Sequence, residues 1–298
     1  MQQLENNIFD TALIFEGGGM RASYTAGMVV TLLEAGIYFD NVYGLSAGSS
    51  NAVNYVSRDA WRARASFVEL VNDPEFGGIG TLLSGKGYFS AYHIYQETGL
   101  PGGLLPFDIE TFHANPAKVT IEAFERDSGA TVYWTKDDLD TLENLMVRVR
   151  ASSTLPFVMP SPEIDGVHYY DGGMGEGAGF LLPRAKRDGF ERFFIVRTRP
   201  RGYRKSEQES KGDKFVNWYL RKYPQLVDAM RSRARRYNTL CEEIEQLEAS
   251  GAAYVFYADK MAVTSGEKDY VKLEKSYADG YAQAQAELPA IKAFLGLG

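Results

Sequence analysis

The chain has 298 residues, 45% hydrophobic and 24% charged, with a formal net charge of −7; this describes a globule with a substantial core and room for one large α/β domain or two small ones. No segment reaches the roughly 20 continuous apolar residues that span a bilayer, and the acidity argues against nucleic acid as the main partner. The single cysteine, Cys241, excludes an internal disulfide and a thiolate-rich metal site; set among Glu242, Glu243 and Glu245, it reads as structural.

Met1–Asp10 is polar, with neither a cationic start nor an apolar h-region, so the expected location is cytoplasmic. Thr11–Phe15 is a short apolar run that ends in Gly17-Gly18-Gly19. A helical period follows, with Met20, Tyr24, Met28, Leu32 and Ala35 on one face and Gly36 closing it. Asn41–Leu45 reads as a second strand and Ala47–Val56 as a second helix, an order that implies right-handed crossovers and a parallel sheet. Trp61–Val71 reads as a further helix.

Between Pro74 and Pro106 the pattern dissolves into Gly, Pro and aromatics, among them Phe76, Tyr88, Phe89, Tyr92 and Tyr95. Long loops of this kind are functional or disordered. The aromatic density fits the wall or lid of an apolar pocket, with Phe89 and Tyr92 as substrate-binding candidates, or a partly buried irregular segment. Val119–Phe124 and Thr131–Thr135 read as a hairpin around Arg126-Asp127-Ser128-Gly129. Leu139–Arg148 reads as a helix, Phe193–Thr198 and Ala252–Tyr257 as strands, and Ser276–Phe294 as a last helix.

Charge is unevenly spread. Arg199–Arg236 holds 12 Lys/Arg against 4 Asp/Glu, a local +8. This stretch interleaves Phe215, Trp218, Tyr219, Tyr223, Leu226, Val227 and Met230 with its cations, and Pro224 divides it into two expected helices. It suits either a helix that packs on the core and keeps a solvated cationic face, which is the preferred reading, or peripheral contact with an anionic membrane.

Four short segments carry chemistry. Gly44-Leu45-Ser46-Ala47-Gly48, at a strand-to-helix junction, has the layout of a nucleophile elbow that lifts a serine hydroxyl into the open. Its glycines relieve crowding, and the Ala47 N–H at the helix start is available to an oxyanion. Glu16-Gly17-Gly18-Gly19-Met20-Arg21 leaves backbone N–H groups bare beside a helix N-terminus, a nest suited to an oxyanion. Arg21 is placed to brace that loop or to neutralise a lipid phosphate. Asp171-Gly172-Gly173 sets a carboxylate at the end of the stretch Val167–Tyr170. Ala151-Ser152-Ser153-Thr154-Leu155-Pro156 is a small-residue segment that lets two layers pack closely.

The histidines are His93, His113 and His168, and none follows Asp171. A Ser–Asp–His triad in the usual α/β-hydrolase order therefore lacks its base. A two-residue arrangement fits better, with Ser46 as nucleophile and Asp171 as base; His168 stays as an alternative base.

These four segments, in this order, resemble the blocks of patatin-like phospholipases, from about Thr11 to Pro183. Glu16 and the tail from Thr198-Arg199-Pro200 are most similar to that family's bacterial branch. The resemblance implies a three-layer α/β/α fold; the strand-helix order adds a mostly parallel central sheet, and the strand read at Ala252–Tyr257 keeps the C-terminal third in one domain over 1–298. Its motif-bearing part is 11–183, and the C-terminal part, 190–298, adds strands and helices. It further implies lipid acyl hydrolase activity on a lipid or acyl-ester substrate. The implied site is a Ser46–Asp171 dyad with an oxyanion hole from Gly17, Gly18, Gly19 and Ala47, with no metal and no cofactor. One departure is Ala22, where the family usually has glycine. Two alternatives stay open: a catalytically silent lipid-binding member, and a dinucleotide-binding oxidoreductase reading Gly17-x-Gly19-x-x-Ala22 with Asp40 on a ribose.

Overall fold

Strands β1 (Thr11–Phe15), β2 (Asn41–Leu45) and β7 (Arg192–Val196) are nearly continuous apolar runs. Runs of that kind belong to parallel strands covered on both faces. The computed structural model describes residues 4–208, 218 and 220–297, and the expectations for Phe215 and Tyr219 lie outside them. It places β1 parallel between β2 and β7, with Leu13 opposite Val42 and Phe194. Strand β3 (Lys118–Glu125) runs parallel on the far side of β2, and β8 (Ala253–Phe256) parallel on the far side of β7.

The remaining strands are antiparallel. The expected hairpin is present, β3 with β4 (Thr131–Thr135), and a second hairpin, β5 (Glu163–Ile164) with β6 (Val167–Asp171), turns at Asp165-Gly166. Strand order is β5-β6-β3-β2-β1-β7-β8, with β4 also paired to β3.

Side chains alternate along β1 between two faces. Leu13 and Phe15 pack with helices α1 (Ala22–Glu34), α2 (Ala47–Val56), α6 (Leu142–Ser153) and α9 (Tyr270–Leu295). Ala12 and Ile14 pack with α7 (Leu182–Arg187) and α8 (Pro224–Ala249). The result is three α/β/α layers around a mostly parallel centre. The C-terminal segment shares this framework: β8 pairs with β7, and α9 crosses α1 where Gly280 meets the Tyr24 carbonyl.

Several element boundaries differ from the sequence reading. The helix expected over Trp61–Val71 ends early: α3 is Ala60–Ala65, and the Ser66 hydroxyl bonds back to the Arg62 carbonyl at 2.7 Å. The chain then turns Phe67 and Leu70 inward. Helix α6 starts at Leu142, not Leu139, because Thr141 caps it by accepting from the Asn144 N–H. Helix α9 starts six residues before Ser276, capped by Asp269, in a turn where Val271 is 72% exposed and the apolar period is invisible. A short helix, α4 (Ile79–Leu83), lies within the long aromatic region, and another, α5 (Ile109–Ala114), follows it. Among the described residues no helix is long and apolar enough to cross a membrane.

Candidate active site

Ligands of open parallel sheets bind beyond the carboxyl ends of the strands. Here β1 leads at that edge into Gly17–Gly19, β2 into Ser46, and β7 into Thr198 and Arg199. Asp171 arrives by another route. Strand β2 pairs with β3 as far as Leu45 opposite Glu122, while β6, running the other way, pairs with β3 from Asp171 opposite Ala123. Because β4 occupies the other edge of β3, β2 and β6 share one edge and end tip to tip. Residues 125 apart in sequence therefore meet.

The elbow is strained. Ser46 has φ 53° and ψ −135°, in the region that non-glycine residues avoid. A Cβ on Gly44 would stand 2.3 Å from the Gly48 carbonyl oxygen, and one on Gly48 would stand 2.4 Å from that of Phe15. The end of α6 clamps both tips. The Ser46 N–H donates to the Ser152 carbonyl (3.1 Å) and to Ser152 Oγ (2.9 Å), and the Asp171 N–H donates to the Thr154 carbonyl (2.8 Å). Ser152 Oγ in turn donates to the Glu122 carbonyl at 2.6 Å.

Asp171 is 1% exposed, and burial raises its carboxyl pKa above the ordinary value. Four groups work against that: the Arg233 guanidinium 4.0 Å away, the Ser46 hydroxyl, the Gly173 N–H, which donates to Oδ1 at 2.8 Å, and the Lys205 ammonium. The Ser46 hydroxyl is close enough to act on the carboxyl, yet Oδ2 completes no hydrogen bond.

The glycine loop lies over the elbow, with Gly17 against Ser46 Cβ, Gly18 against Thr198 and Gly19 at φ +58° against the Ser265 carbonyl. The expectation for Gly17 as a donor needs correction. Its N–H is spent on the Gly179 carbonyl at 3.1 Å, so the loop's candidate donors are Gly18 and Gly19, beside Ala47 at the start of α2. Glu16 anchors the loop from below: it is 2% exposed and accepts from the Tyr237 hydroxyl (2.5 Å) and the Thr198 N–H (2.6 Å), with Arg197 Nε at 3.7 Å. Cys241 is buried beside the Arg197 guanidinium, and burial pushes its thiol pKa up, in keeping with a structural role. Ala22 is buried with Met20, Ala26 and Ala47, so its extra methyl packs into that apolar cluster.

Ser46 and Asp171 open onto a cavity of about 290 Å³, near the lower end of the range for small-molecule sites. Its apolar wall includes Phe67, Leu70, Phe76, Phe89, Ile94 and Met159. Phe89 and Arg21 are there as expected. Tyr92 is not: it is 53% exposed, with the Arg150 guanidinium 5.5 Å over its ring. An irregular segment shows no periodicity by which to separate inward from outward aromatics.

The histidines stand elsewhere. On β6, His168 alternates to the face opposite Asp171 and meets Ser161 Oγ (3.1 Å) and Glu163 (3.5 Å). His93 is held by Asp73 and Glu97, and His113 packs edge-on to Phe112. Glu75, His93 and Glu97 bring potential metal-ligand atoms within 4.8 Å of one another. Both His93 nitrogens and the Glu75 carboxylate are already engaged, the latter by Lys86. Asp40 lies at the opposite end of β2 from Ser46, bonded to Asn6, and cannot face the glycine loop as a dinucleotide site requires.

Sequence reasoning missed Arg199, Lys205, Arg233 and Tyr237 as cavity-lining residues. The local +8 is the signal for the three cations, though it does not say which of them leave the solvated face; the uncharged Tyr237 has no such signal. Helix α8 packs on the core as expected, burying Leu226, Val227 and Ala229 against Phe124 and Met174 and leaving Arg231 and Arg235 exposed, but it turns Arg233 toward the cavity.

A strained serine elbow, a glycine loop and a buried carboxyl at one edge of an α/β/α sheet define a class of fold, and comparison with known proteins agrees. The model of the patatin-like phospholipase family matches residues 13–182, and this chain belongs to that family. A second model, for a domain of unknown function (DUF6363), matches residues 223–296. The uncharacterized protein YjjU of Escherichia coli (strain K12) is 26% identical over 200 residues, which is 63% of this chain and 52% of YjjU. The match thus spans about half the length of that curated relative. The crystal structure of VipD from Legionella pneumophila superposes with a TM-score of 0.49 at 12% identity, covering 94% of this chain and 67% of VipD.

Proposed function

We propose that the chain is a lipid acyl hydrolase that cleaves carboxylic esters through Ser46 and Asp171. The observation that carries this reading is the tip-to-tip meeting of β2 and β6, which sets a strained serine beside a buried carboxyl near backbone N–H groups in a cavity with one apolar wall. Ser46 Oγ attacks the ester carbonyl carbon as its proton passes to Asp171. The oxyanion forms beside the Gly18, Gly19 and Ala47 N–H groups, each such donor contributing about 2.7–4 kcal/mol in comparable holes. Collapse expels the alcohol, which takes the proton from Asp171 and leaves an acyl-serine. Asp171 then draws a proton from water, the resulting hydroxide attacks the acyl carbon, and Ser46 departs with that proton. Burial suits Asp171 to this work, since a carboxylate with a raised pKa is a stronger base.

The substrates in this reading are phospholipid, lysophospholipid or acylglycerol esters, met in the cytoplasm with peripheral contact to membrane. Labelling with a fluorophosphonate probe, followed by a lipid hydrolysis assay, tests it. Labelling and acid release are expected in the wild type and absent in Ser46→Ala. An unlabelled wild type would instead favour a silent lipid-binding member, for which the uncompleted bond at Oδ2 is the supporting observation.

A further inference from the structure

The cavity holds more cations than its carboxylates can neutralise. Its charged lining consists of Arg21, Arg62, Arg199, Lys205 and Arg233 against Glu16 and Asp171. Arg62 is accounted for by Asn54, the Leu105 carbonyl and the Phe107 ring. Glu16 is taken by Tyr237, Thr198 and Arg197, and Asp171 has Arg233 at 4.0 Å. That leaves Arg21, Arg199 and Lys205, none of which has an acidic side chain within 4.0 Å among the described residues.

The partners these three do have are weak. Arg21 Nε is buried without a hydrogen bond, Arg199 lies over the Tyr203 ring, and Lys205 Nζ sits 3.9 Å from the Tyr237 ring centre and 3.4 Å from the Ala178 carbonyl. They also repel one another. Arg21 has its pKa lowered by burial and then by Arg199, with Glu16 opposing. Lys205 is pushed down to about 7 by burial and then by Arg233, with Arg21 adding to the effect and Glu16 and Asp171 opposing it. Gathering unpaired cations out of water is costly unless an anion joins them.

We propose that Arg21, Arg199 and Lys205, with Arg233 beside Asp171, form an anion subsite that receives the phosphoryl head group of the acyl substrate. The class selected is then acyl esters carrying a phosphomonoester, such as monoacyl glycerophosphates. A phosphomonoester brings about −1.5 to −2 charge and three acceptor oxygens near neutral pH, which suits several converging donors. A zwitterionic head group would place its ammonium against the same cations, and an uncharged glycerol would leave them unpaired. This proposal deepens the acyl hydrolase reading and rests on it for the word substrate; the subsite itself is testable without turnover.

Ser46→Ala protein is titrated calorimetrically with an ether-linked alkyl glycerophosphate, which has no ester to cleave, below its critical micelle concentration. The alkyl glycerol of equal chain length, glycerol 3-phosphate and inorganic phosphate are titrated alongside. The phosphate lipid is expected to bind at least about tenfold more tightly than the uncharged lipid, and adding Arg199→Gln or Lys205→Met should each remove most of that preference. Arg199→Lys, which keeps the charge, should restore part of it and exclude simple misfolding. Binding should also take up a proton near pH 7–8, read from its dependence on buffer ionisation heat, and this uptake should vanish with Lys205→Met.

Equal affinity for the charged and uncharged lipids would overturn the subsite, as would a preference unchanged in Arg199→Gln and Lys205→Met. Inorganic phosphate binding as tightly as the lipid would overturn the assignment to a head group. Fluorophosphonate labelling of the wild type is a separate readout. Selective binding without labelling would retain the subsite and reject the hydrolase, and labelling with indifferent binding would do the reverse.

Discussion

Ser152→Ala tests how the site is held. Ser152 is fully buried, and its hydroxyl joins the Ser46 N–H (2.9 Å) to the Glu122 carbonyl (2.6 Å), tying the Ser46 backbone to the strand that also carries the Asp171 end of β6. The alanine removes both bonds. The Ser46 N–H keeps the Ser152 carbonyl at 3.1 Å, so the larger loss falls on the Glu122 carbonyl. A buried group deprived of its partner costs about 1–3 kcal/mol. With an unfolding entropy of about 2.1 cal/mol/K per residue across the chain, that lowers Tm by about 2–5 °C. The effect on rate should be larger in proportion. A 1 Å misplacement of a reacting group costs about 100-fold, so kcat/KM for a short-chain nitrophenyl ester should fall about 10- to 100-fold. Fluorophosphonate labelling should slow by a similar factor, because in the proposed mechanism it uses the same nucleophile. Tm by differential scanning fluorimetry and the two rates are measured on one preparation. A variant that reacts at the wild-type rate, whether or not its Tm drops, would refute the clamp as a positioning device.

Asp171→Asn should fold, because its amide oxygen still accepts from the Gly173 N–H, and should lose about 10²- to 10⁴-fold in kcat, the usual range for removal of a general base. Glu122 is fully buried, its Oε2 has no partner, and burial raises its pKa well above the ordinary value, which favours the neutral form. Glu122→Gln should therefore keep Tm within about 2 °C, since the amide retains the acceptor for the Gly177 N–H, and a severe loss would mean that the native carboxyl is ionised. The raised pKa values of Asp171 and Glu122 set the sign of the pH dependence: the folded chain holds protons that the unfolded chain has released. Stability should fall as pH rises from the ordinary carboxylate range through these raised values, while kcat/KM climbs as Asp171 ionises. Opposite slopes of Tm and kcat/KM over that window are the expected result, and parallel slopes would contradict the assignment. His93, raised by Asp73 and Glu97 against its burial, ties two parts of the cavity wall and should contribute stability below its unfolded pKa that is lost as pH rises through its folded one; His93→Gln should remove that loss from the Tm profile.

Local chemistry was legible in the residues themselves. Apolar runs bounded by glycine mark β1 and β2, and the spacing of Gly44, Ser46 and Gly48 marks the elbow, because a backbone that close to its neighbours admits no Cβ. The missing histidine after Asp171 was legible too, as was the Ser152–Thr154 segment, though without its role as the clamp. What one dimension does not contain is direction. The composition of Arg199–Arg236 states an excess of positive charge but not that Arg199, Lys205 and Arg233 turn toward the cavity. The aromatics of the long irregular segment carry no period that would separate Phe89, inside, from Tyr92, outside. Nor can spacing place Asp171 beside Ser46, since that depends on two strands of opposite sense ending at one point on β3. Chain-local sterics wrote the elbow and the glycine loop into the sequence; pairing register across the sheet, a long-range property, decided which carboxyl and which cations surround them.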